Sequence, residues 1–424
     1  MKERGHFAVS GRGSPTLRLT ALPTQDDSYH THRHSLQLAR LHLTSSVKGL
    51  WLNSLRPNKK SHLYLHTRRI KMEGVNAKAG TEILHLTFSK MQASILDHGS
   101  RQTAAVGGPD VAGAAALSAC QAKILKNSLD DAQLALLEIF ASGKAAALEF
   151  AAMKVPNVGP VPSELADIDI LKIDPVTVYM ASRNQILLSL VDYRSFAFDI
   201  DNGGMQVRLV GNFKGGGVRL LPNELNLHQA ELSSHAGVQL GPHTEPPYNC
   251  SVQFEGEHSP APSALILSAR WNPLQEPTKF IPVRNAISNL NGLEALALSS
   301  KSFCFTRSDC FVKDESQATI ANSILQFDVR GDFTLRYSSY RHSLHDEANH
   351  STRQAYQTLR DLLDKEQPYD FLPSPDSALL INNCQALHAR DVIKDNRRLL
   401  VRLFGYSPDA RPVILQQDPL IVRG

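Results

Sequence analysis

Apolar positions along this chain change their period several times, and each change predicts an element. Residues 1–71 hold no sustained period, and 72–127 is rich in Ala, Gly and Ser, with the low-complexity run Ala112–Ala119. Order sharpens at 128, where Ser128 and Asp131 have capping-box spacing and Leu134, Leu137 and Phe140 follow on one helical face. Ala146–Phe150 reads as a strand stopped by Pro156 and Pro160. Ser182–Val191 reads as a helix, and Met205–Val210 as a short strand within the turn-rich stretch Gly203–Gly217. Strand patterns then dominate: Ala264–Arg270, Ile324–Val329, Phe333–Tyr337, Ala378–Asn382 and Arg398–Phe404. Two helices interrupt them, near Arg284–Leu298 and at Arg353–Lys365, the second amphipathic through Tyr356, Leu359, Leu362 and Leu363. Short strands with long insertions and no repeats predict an α+β fold, a β-sandwich or jelly roll with helices packed outside.

Composition divides the chain. The 424 residues carry 45 Lys+Arg against 41 Asp+Glu, a net of +4. Residues 1–71 hold 13 basic and 3 acidic residues, a net of +10, with seven of the 17 His; the remainder carries −6. Three readings of 1–71 stand side by side: a transit peptide, a basic arm for anionic surfaces, or an upstream extension with Met72 opening the working protein. The expected division is a basic extension over 1–71, a low-complexity lead-in over 72–127 and one jelly-roll domain over 128–424. The chemistry falls in the acidic body, so the charge does not call for a nucleic-acid partner. No stretch approaches the ~18 apolar residues of a membrane span. Five scattered Cys without a C-x-x-C pair argue against a disulfide framework or a structural zinc site, so a cytoplasmic setting is expected.

Several motifs fail on inspection. Gly143-Lys144 lacks the first Gly and the Ser/Thr of a phosphate loop and suits a helix C-terminus. Gly215–Gly217 lacks a strand–GxGxxG–helix context, and no G-x-S-x-G exists. His345 and His350 are five apart, which on a helix turns them away from a shared metal.

Three pieces survive. His243 and Glu245, in Gly241-Pro242-His243-Thr244-Glu245, are i and i+2 on an extended segment and point the same way. They supply two ligands of a 2-His-1-carboxylate site. His388 ends a strand–turn–strand pattern, Leu379–His388. Arg402 sits mid-strand on the face shared by Arg398, Leu400 and Phe404, where an inward guanidinium needs an anion.

At these residues the sequence resembles the clavaminate synthase-like branch of the TauD/TfdA family of Fe(II)/2-oxoglutarate dioxygenases, which includes arginine and asparagine β-hydroxylases. The likeness runs from about Leu134 to Phe404. It implies a double-stranded β-helix (jelly-roll) core with flanking helices, and Fe(II), 2-oxoglutarate and O2 as cofactor and co-substrates. It implies His243, Glu245 and His388 as catalytic iron ligands. Arg402, 14 residues after His388, would bind the far carboxylate of 2-oxoglutarate, with Thr278 beside it. Ser234–Leu240 resembles the family's lead into the iron motif, and His235 within it matches no ligand. Two positions depart from the pattern. Pro375-Asp376-Ser377 replaces a Gly-Asp, and Tyr406 stands where the amino-acid hydroxylases place an Arg for the substrate carboxylate. Tyr248, Asn249, Tyr337 and Tyr406 are the candidate substrate contacts.

The resemblance implies hydroxylation, or desaturation, at an unactivated C–H of a small-molecule amino acid, a carrier-tethered amino acid or a related compound, since Glu245 keeps the carboxylate that halogenating relatives lose. Two alternatives remain: a non-catalytic jelly-roll module that binds a metabolite, with a basic tether, and a zinc hydrolase using the same ligands, which leaves Arg402 without a role.

Overall fold

Alternation along three central strands sets the architecture. In one strand Leu399, Val401 and Leu403 face one core while Leu400, Phe404 and Tyr406 face another. Its neighbour divides Ala264 and Ile266 from Leu265, Leu267 and Ala269, and a third divides Ala378 and Leu380 from Leu379 and Ile381. Strands with apolar residues on both faces must be covered on both sides, and here they are.

The computed structural model describes residues 82–214, 217, 233–245, 261–306, 321–327 and 333–424, all within the unit Gly74–Gly424. The segment 1–71, with its basic and His-rich composition, lies outside these residues, as do Tyr248 and Asn249.

In chain order the strands are β1 (Ile83–Thr87), β2 (Ala147–Ala151), β3 (Arg194–Phe198), β4 (Arg208–Gly211), β5 (Leu240–His243), β6 (Ala264–Trp271), β7 (Thr278–Pro282), β8 (Phe303–Phe305), β9 (Leu325–Phe327), β10 (Phe333–Leu335), β11 (His342–Leu344), β12 (Tyr369–Phe371), β13 (Ala378–Asn382), β14 (Ala386–Arg390), β15 (Leu399–Tyr406), β16 (Ile414–Gln417) and β17 (Leu420–Val422). The helices are α1 (Lys90–Ala105), α2 (Ala114–Lys126), α3 (Asp131–Ala141), α4 (Ile168–Ile173), α5 (Pro175–Leu190), α6 (Arg284–Ser288), α7 (Gly292–Leu298) and α8 (His350–Leu363).

The large sheet runs β1-β2-β13-β6-β15-β3-β17-β16, with β4 also pairing β15. It is mixed: β1/β2 and β17/β3 are parallel, while β13, β6 and β15 are joined antiparallel. A four-stranded sheet runs β12-β7-β14-β5, all antiparallel. On one face of the large sheet lie α1, α2 and α5, closing a core that includes Leu86, Leu96, Leu125, Leu187 and Val401. Gly405 lets α5 approach β15, since a Cβ there would stand 2.7 Å from Leu188 Cδ2. A third core, under α6, α7 and α8, holds Phe303, Leu335, Tyr337, Tyr356 and Leu359.

The chain is thus α+β, as expected, and several expected elements shift for identifiable reasons. Within the expected lead-in, 83–126 forms β1, α1 and α2, which belong to the main core. The cap of α3 is Asp130, in a capping box with Gln133; Ser128 instead donates its hydroxyl to the Leu125 carbonyl at the end of α2. Gly143 follows α3 at φ +77, the helix-ending role read from the sequence. The strand near 205–210 begins only at Arg208, because the Gln206 and Val207 amides are held by the Asp110 carboxylate. The helix expected over 284–298 is two, parted at 289–291, where Asn289 bonds back to the Asn285 carbonyl and Asn291 caps the second.

Candidate active site

The four-stranded sheet places the metal-ligand candidates. His243 ends β5 and His388 is central in β14; the two are direct cross-strand partners, with ring centroids 4.2 Å apart. Such pairs share a face, so both imidazoles point to the same space. Glu245, two residues after His243, joins them. The donor atoms of His243, Glu245 and His388 lie within 4.8 Å of one another, and all three residues are buried. His388 Nε2 is 3.4 Å from Glu245 Oε1, close to the ~3 Å between adjacent ligands on an octahedral ion with ~2.1 Å bonds.

The main chain around Glu245 is fixed from three sides. Its N–H donates to Asn383 Oδ1 (2.7 Å), and its carbonyl accepts from Asn383 Nδ2 and from Arg336 Nη2. Thr244 N–H donates to the Tyr337 carbonyl, and its hydroxyl accepts from Tyr337 N–H. His243 Nδ1 lies 2.7 Å from the Gly241 carbonyl; donating there, it leaves the Nε2 lone pair for a metal.

Electrostatics prepare the same donors. Burial, reinforced by His388, pulls the His243 pKa down to about 3, keeping the ring neutral. For Glu245, burial pushes upward, but the Arg402 guanidinium and the His388 ring outweigh it and hold the carboxyl well below its usual range. Arg402 forms an ion pair with Glu245 Oε1 and lies 4.3 Å over the Phe404 ring. A neutral His243 ring and an ionised Glu245 carboxylate are forms a metal requires, and with the His388 imidazole they make a donor set that fits a divalent ion.

The cavity over this triad lies between the two sheets and encloses about 910 Å³, its opening to solvent included. Arg208, Leu267, Leu400 and Arg402 line it from the large sheet; Leu240, Thr278, His388 and Arg390 line it from the smaller one. Arg398, immediately before β15, also lines it and is 1% exposed.

The structure brings together His243, Glu245, His388 and Arg402 and places Thr278 in the same cavity, but it pairs Thr278 with another arginine. Thr278 Oγ1 accepts from Arg398 Nη2 (3.1 Å), whereas Arg402 engages Glu245. Tyr337 and Tyr406 do not line the cavity: Tyr337 packs near Tyr356 in the core under α8, and Tyr406 stacks on Phe196 at 3.8 Å. His345 and Glu347 share a turn, with the Glu347 amide bonded to His345 Nδ1, and form no metal group among the described residues. Residues not singled out from sequence also line the cavity: Arg390, Tyr340 and the buried Asp201–Arg208 ion pair, with Ser234 bonded to Arg208. Asn383 and Arg390 flank His388 on a visible pattern, N-x4-H-x-R, which could have drawn attention to them.

The mixed α+β fold thus sets a His–Glu–His group that could hold a metal ion beside an interior cavity. No protein-family model matches the sequence, and no curated protein matches it. Among solved structures, the chain is similar to the non-heme iron oxygenase OrfP in complex with Fe, at 18% identity and a TM-score of 0.56, over 76% of this chain and 94% of that one. OrfP with Fe and alpha-ketoglutaric acid matches at 16% identity and a TM-score of 0.56, over 76% and 93%. An asparagine oxygenase in complex with Fe(II), 2S,3S-3-hydroxyasparagine and succinate matches at 18% identity and a TM-score of 0.55, over 76% and 92%. The chain therefore shares the fold of these oxygenases.

Proposed function

We propose that this protein is an Fe(II)/2-oxoglutarate-dependent oxygenase that hydroxylates an unactivated C–H of an amino acid, a tethered amino acid or a related small molecule, on a jelly-roll core closed by the two facing sheets. The catalytic domain, in this reading, starts at β1 rather than at residue 128. The observation that carries it is the convergence of His243, Glu245 and His388 on a cavity that also holds a buried arginine bonded to a threonine hydroxyl.

His243, Glu245 and His388 would hold the iron by one face, leaving positions for a bidentate oxo acid and O2. When bound, iron and 2-oxoglutarate supply the oxidising chemistry: the oxo acid loses CO2 to become succinate, and one atom of O2 enters the substrate C–H. The protein's part is to place both carbon chains and exclude water.

Geometry favours Arg398 over Arg402 as the anchor of the far carboxylate. Arg402 is ion-paired with Glu245, so it sits beside the residues that would hold the iron. Arg398 binds Thr278, and Arg398 and Arg402 are separated by four residues of extended chain, ~13 Å. A five-carbon diacid chelated at one end reaches toward Thr278 with the other. Arg402 is then the cation beside the reacting centre, placed to receive a substrate carboxylate, which restores a role that the Tyr406 position had removed. OrfP complexes contain (3S)-hydroxy-L-Arg and succinate, the kind of product pair this reading expects.

The test is succinate release with Fe(II), O2, 2-oxoglutarate and an amino-acid panel. Arg398→Gln removes charge-assisted hydrogen bonds of ~1.5–3 kcal/mol and is expected to raise KM for 2-oxoglutarate about 10- to 100-fold. Arg402→Gln is expected to affect mainly the KM of the prime substrate. The reverse split would return the anchor role to Arg402. The zinc-hydrolase reading offers Arg398 and Thr278 no task, and nothing in the described residues favours the non-catalytic module.

A further inference from the structure

Arg390 is the cavity's unexplained cation. It ends β14 two residues after His388 and therefore on the same face. The register that pairs His388 with Phe280 and Ala389 with Lys279 sets Arg390 beside Thr278. It is 7% exposed, and one nitrogen, Nη2, bonds the carbonyls of Ser233, Ala236 and Val238. Its Nε and Nη1 are buried without a hydrogen-bond partner, and so are Nε and Nη1 of Arg398, which reaches Thr278 from the opposite sheet. Two guanidinia near enough to feel each other's charge thus line the cavity, one bonded to the Thr278 hydroxyl and the other on the strand beside Thr278, each with two donors unused. The carboxylate whose field reaches both, Glu276, is engaged elsewhere by the Lys394 and Asp395 amides. Buried donors left unmade are costly, and two neighbouring buried cations more so, unless an anion arrives between them.

We propose that Arg390 is a second binding residue for the far carboxylate of the oxo-diacid co-substrate, closing on it from the β14 side while Arg398 and Thr278 hold it from the other. This rests on the 2-oxoglutarate reading above and adds a residue to it. At ~3.3 Å per residue, Arg390 lies ~7 Å beyond His388 along the strand, a span suited to a chelated five-carbon diacid. Its three carbonyl bonds hold the guanidinium in place, so the two free donors are oriented before the ligand enters.

The experiment is calorimetric titration of the Mn(II)-loaded full chain with 2-oxoglutarate and with 2-oxopentanoate, which keeps the chelating oxo acid and lacks the far carboxylate. Arg390→Met removes the cation. Arg390→Lys keeps three donors for the three carbonyls but not the fork toward the ligand, and so separates binding from folding. Both variants are expected to lose 10-fold or more in 2-oxoglutarate affinity with 2-oxopentanoate affinity within about twofold of wild type, so that discrimination between the acids collapses. Equal losses for both acids, or none, would overturn the proposal and leave Arg390 a purely structural clamp. Wild-type protein that binds Mn(II) but neither acid would overturn the co-substrate reading itself. A wild-type crystal structure with Mn(II) and 2-oxoglutarate reads the contact without any variant: Nε or Nη1 of Arg390 within 3.5 Å of the far carboxylate supports it, and a gap beyond 4 Å contradicts it.

Discussion

Glu245 is held by its main chain as firmly as by its charge, and the residue that does most of this is Asn383. Its amide bonds both the N–H and the carbonyl of Glu245 and also the Pro262 carbonyl. Asn383→Ala is therefore expected to loosen the carboxylate and lower metal affinity about 10- to 100-fold, read by Mn(II) calorimetry, with the overall fold kept by circular dichroism. Glu245→Ala leaves the Arg402 cation buried beside an empty place, and breaking such a pair costs ~3–5 kcal/mol; chemical denaturation of metal-free protein measures that loss. Burial also pulls His235, His243 and His342 down to about 3. A histidine whose folded pKa is depressed stabilises above its unfolded value and loses that contribution as pH falls. Unfolding free energy of the metal-free protein is thus expected to decline from pH ~6.5 toward 3, by up to ~1.4 kcal/mol per pH unit for each such ring. A flat profile would contradict the burial of these rings. At this scale the His–Glu–His group was legible because i, i+2 spacing and strand alternation survive any loop. The choice between Arg398 and Arg402 was not, since both share one face and the length of the loop before β15 hides which one meets Thr278.

Strands announce themselves more clearly than helices in this chain. β6, β13 and β15 show their cores through period-2 alternation, and their bounds nearly match the sequence pattern. Helix α5 was seen only in part because it is buried almost all round, with Ser182, Arg183, Asn184 and Gln185 inside, so no amphipathic stripe exists to count. Its polar side chains bond instead to the sheet and to α2: Asn184 to the Val401 carbonyl and Ser268, Gln185 to Ser118 and Ser195. Helices α1 and α2 were masked by Ala and Gly content that reads as low complexity, although Ser89 and Gln92 form a capping box. Because α5 supports the outer face of β15, a cavity at Leu187, which is fully buried, is expected to cost ~2–5 kcal/mol. Urea unfolding of Leu187→Ala tests this, and a loss below 1 kcal/mol would show that the helix is not part of the cooperative core.

The whole molecule joins two sheets of different make-up around one site. The large sheet brings Arg402 and Arg208, the smaller brings His243, His388, Thr278 and Arg390, and the cavity takes its lining from both. Among the described residues no helix is long and apolar enough to cross a membrane. Every site residue named above lies between 201 and 402, so removing 1–71 is expected to leave metal and 2-oxoglutarate affinities unchanged; a loss in either would bring the basic segment into the working site. The central claim is that His243, Glu245 and His388 bind Fe(II) with 2-oxoglutarate chelated to it. Anaerobic addition of 2-oxoglutarate to the Fe(II)-loaded protein tests this most directly. A visible metal-to-ligand charge-transfer band that needs both Fe(II) and 2-oxoglutarate, and is lost in His388→Ala, is the predicted result. Absence of the band in wild-type protein that holds stoichiometric iron would contradict the account.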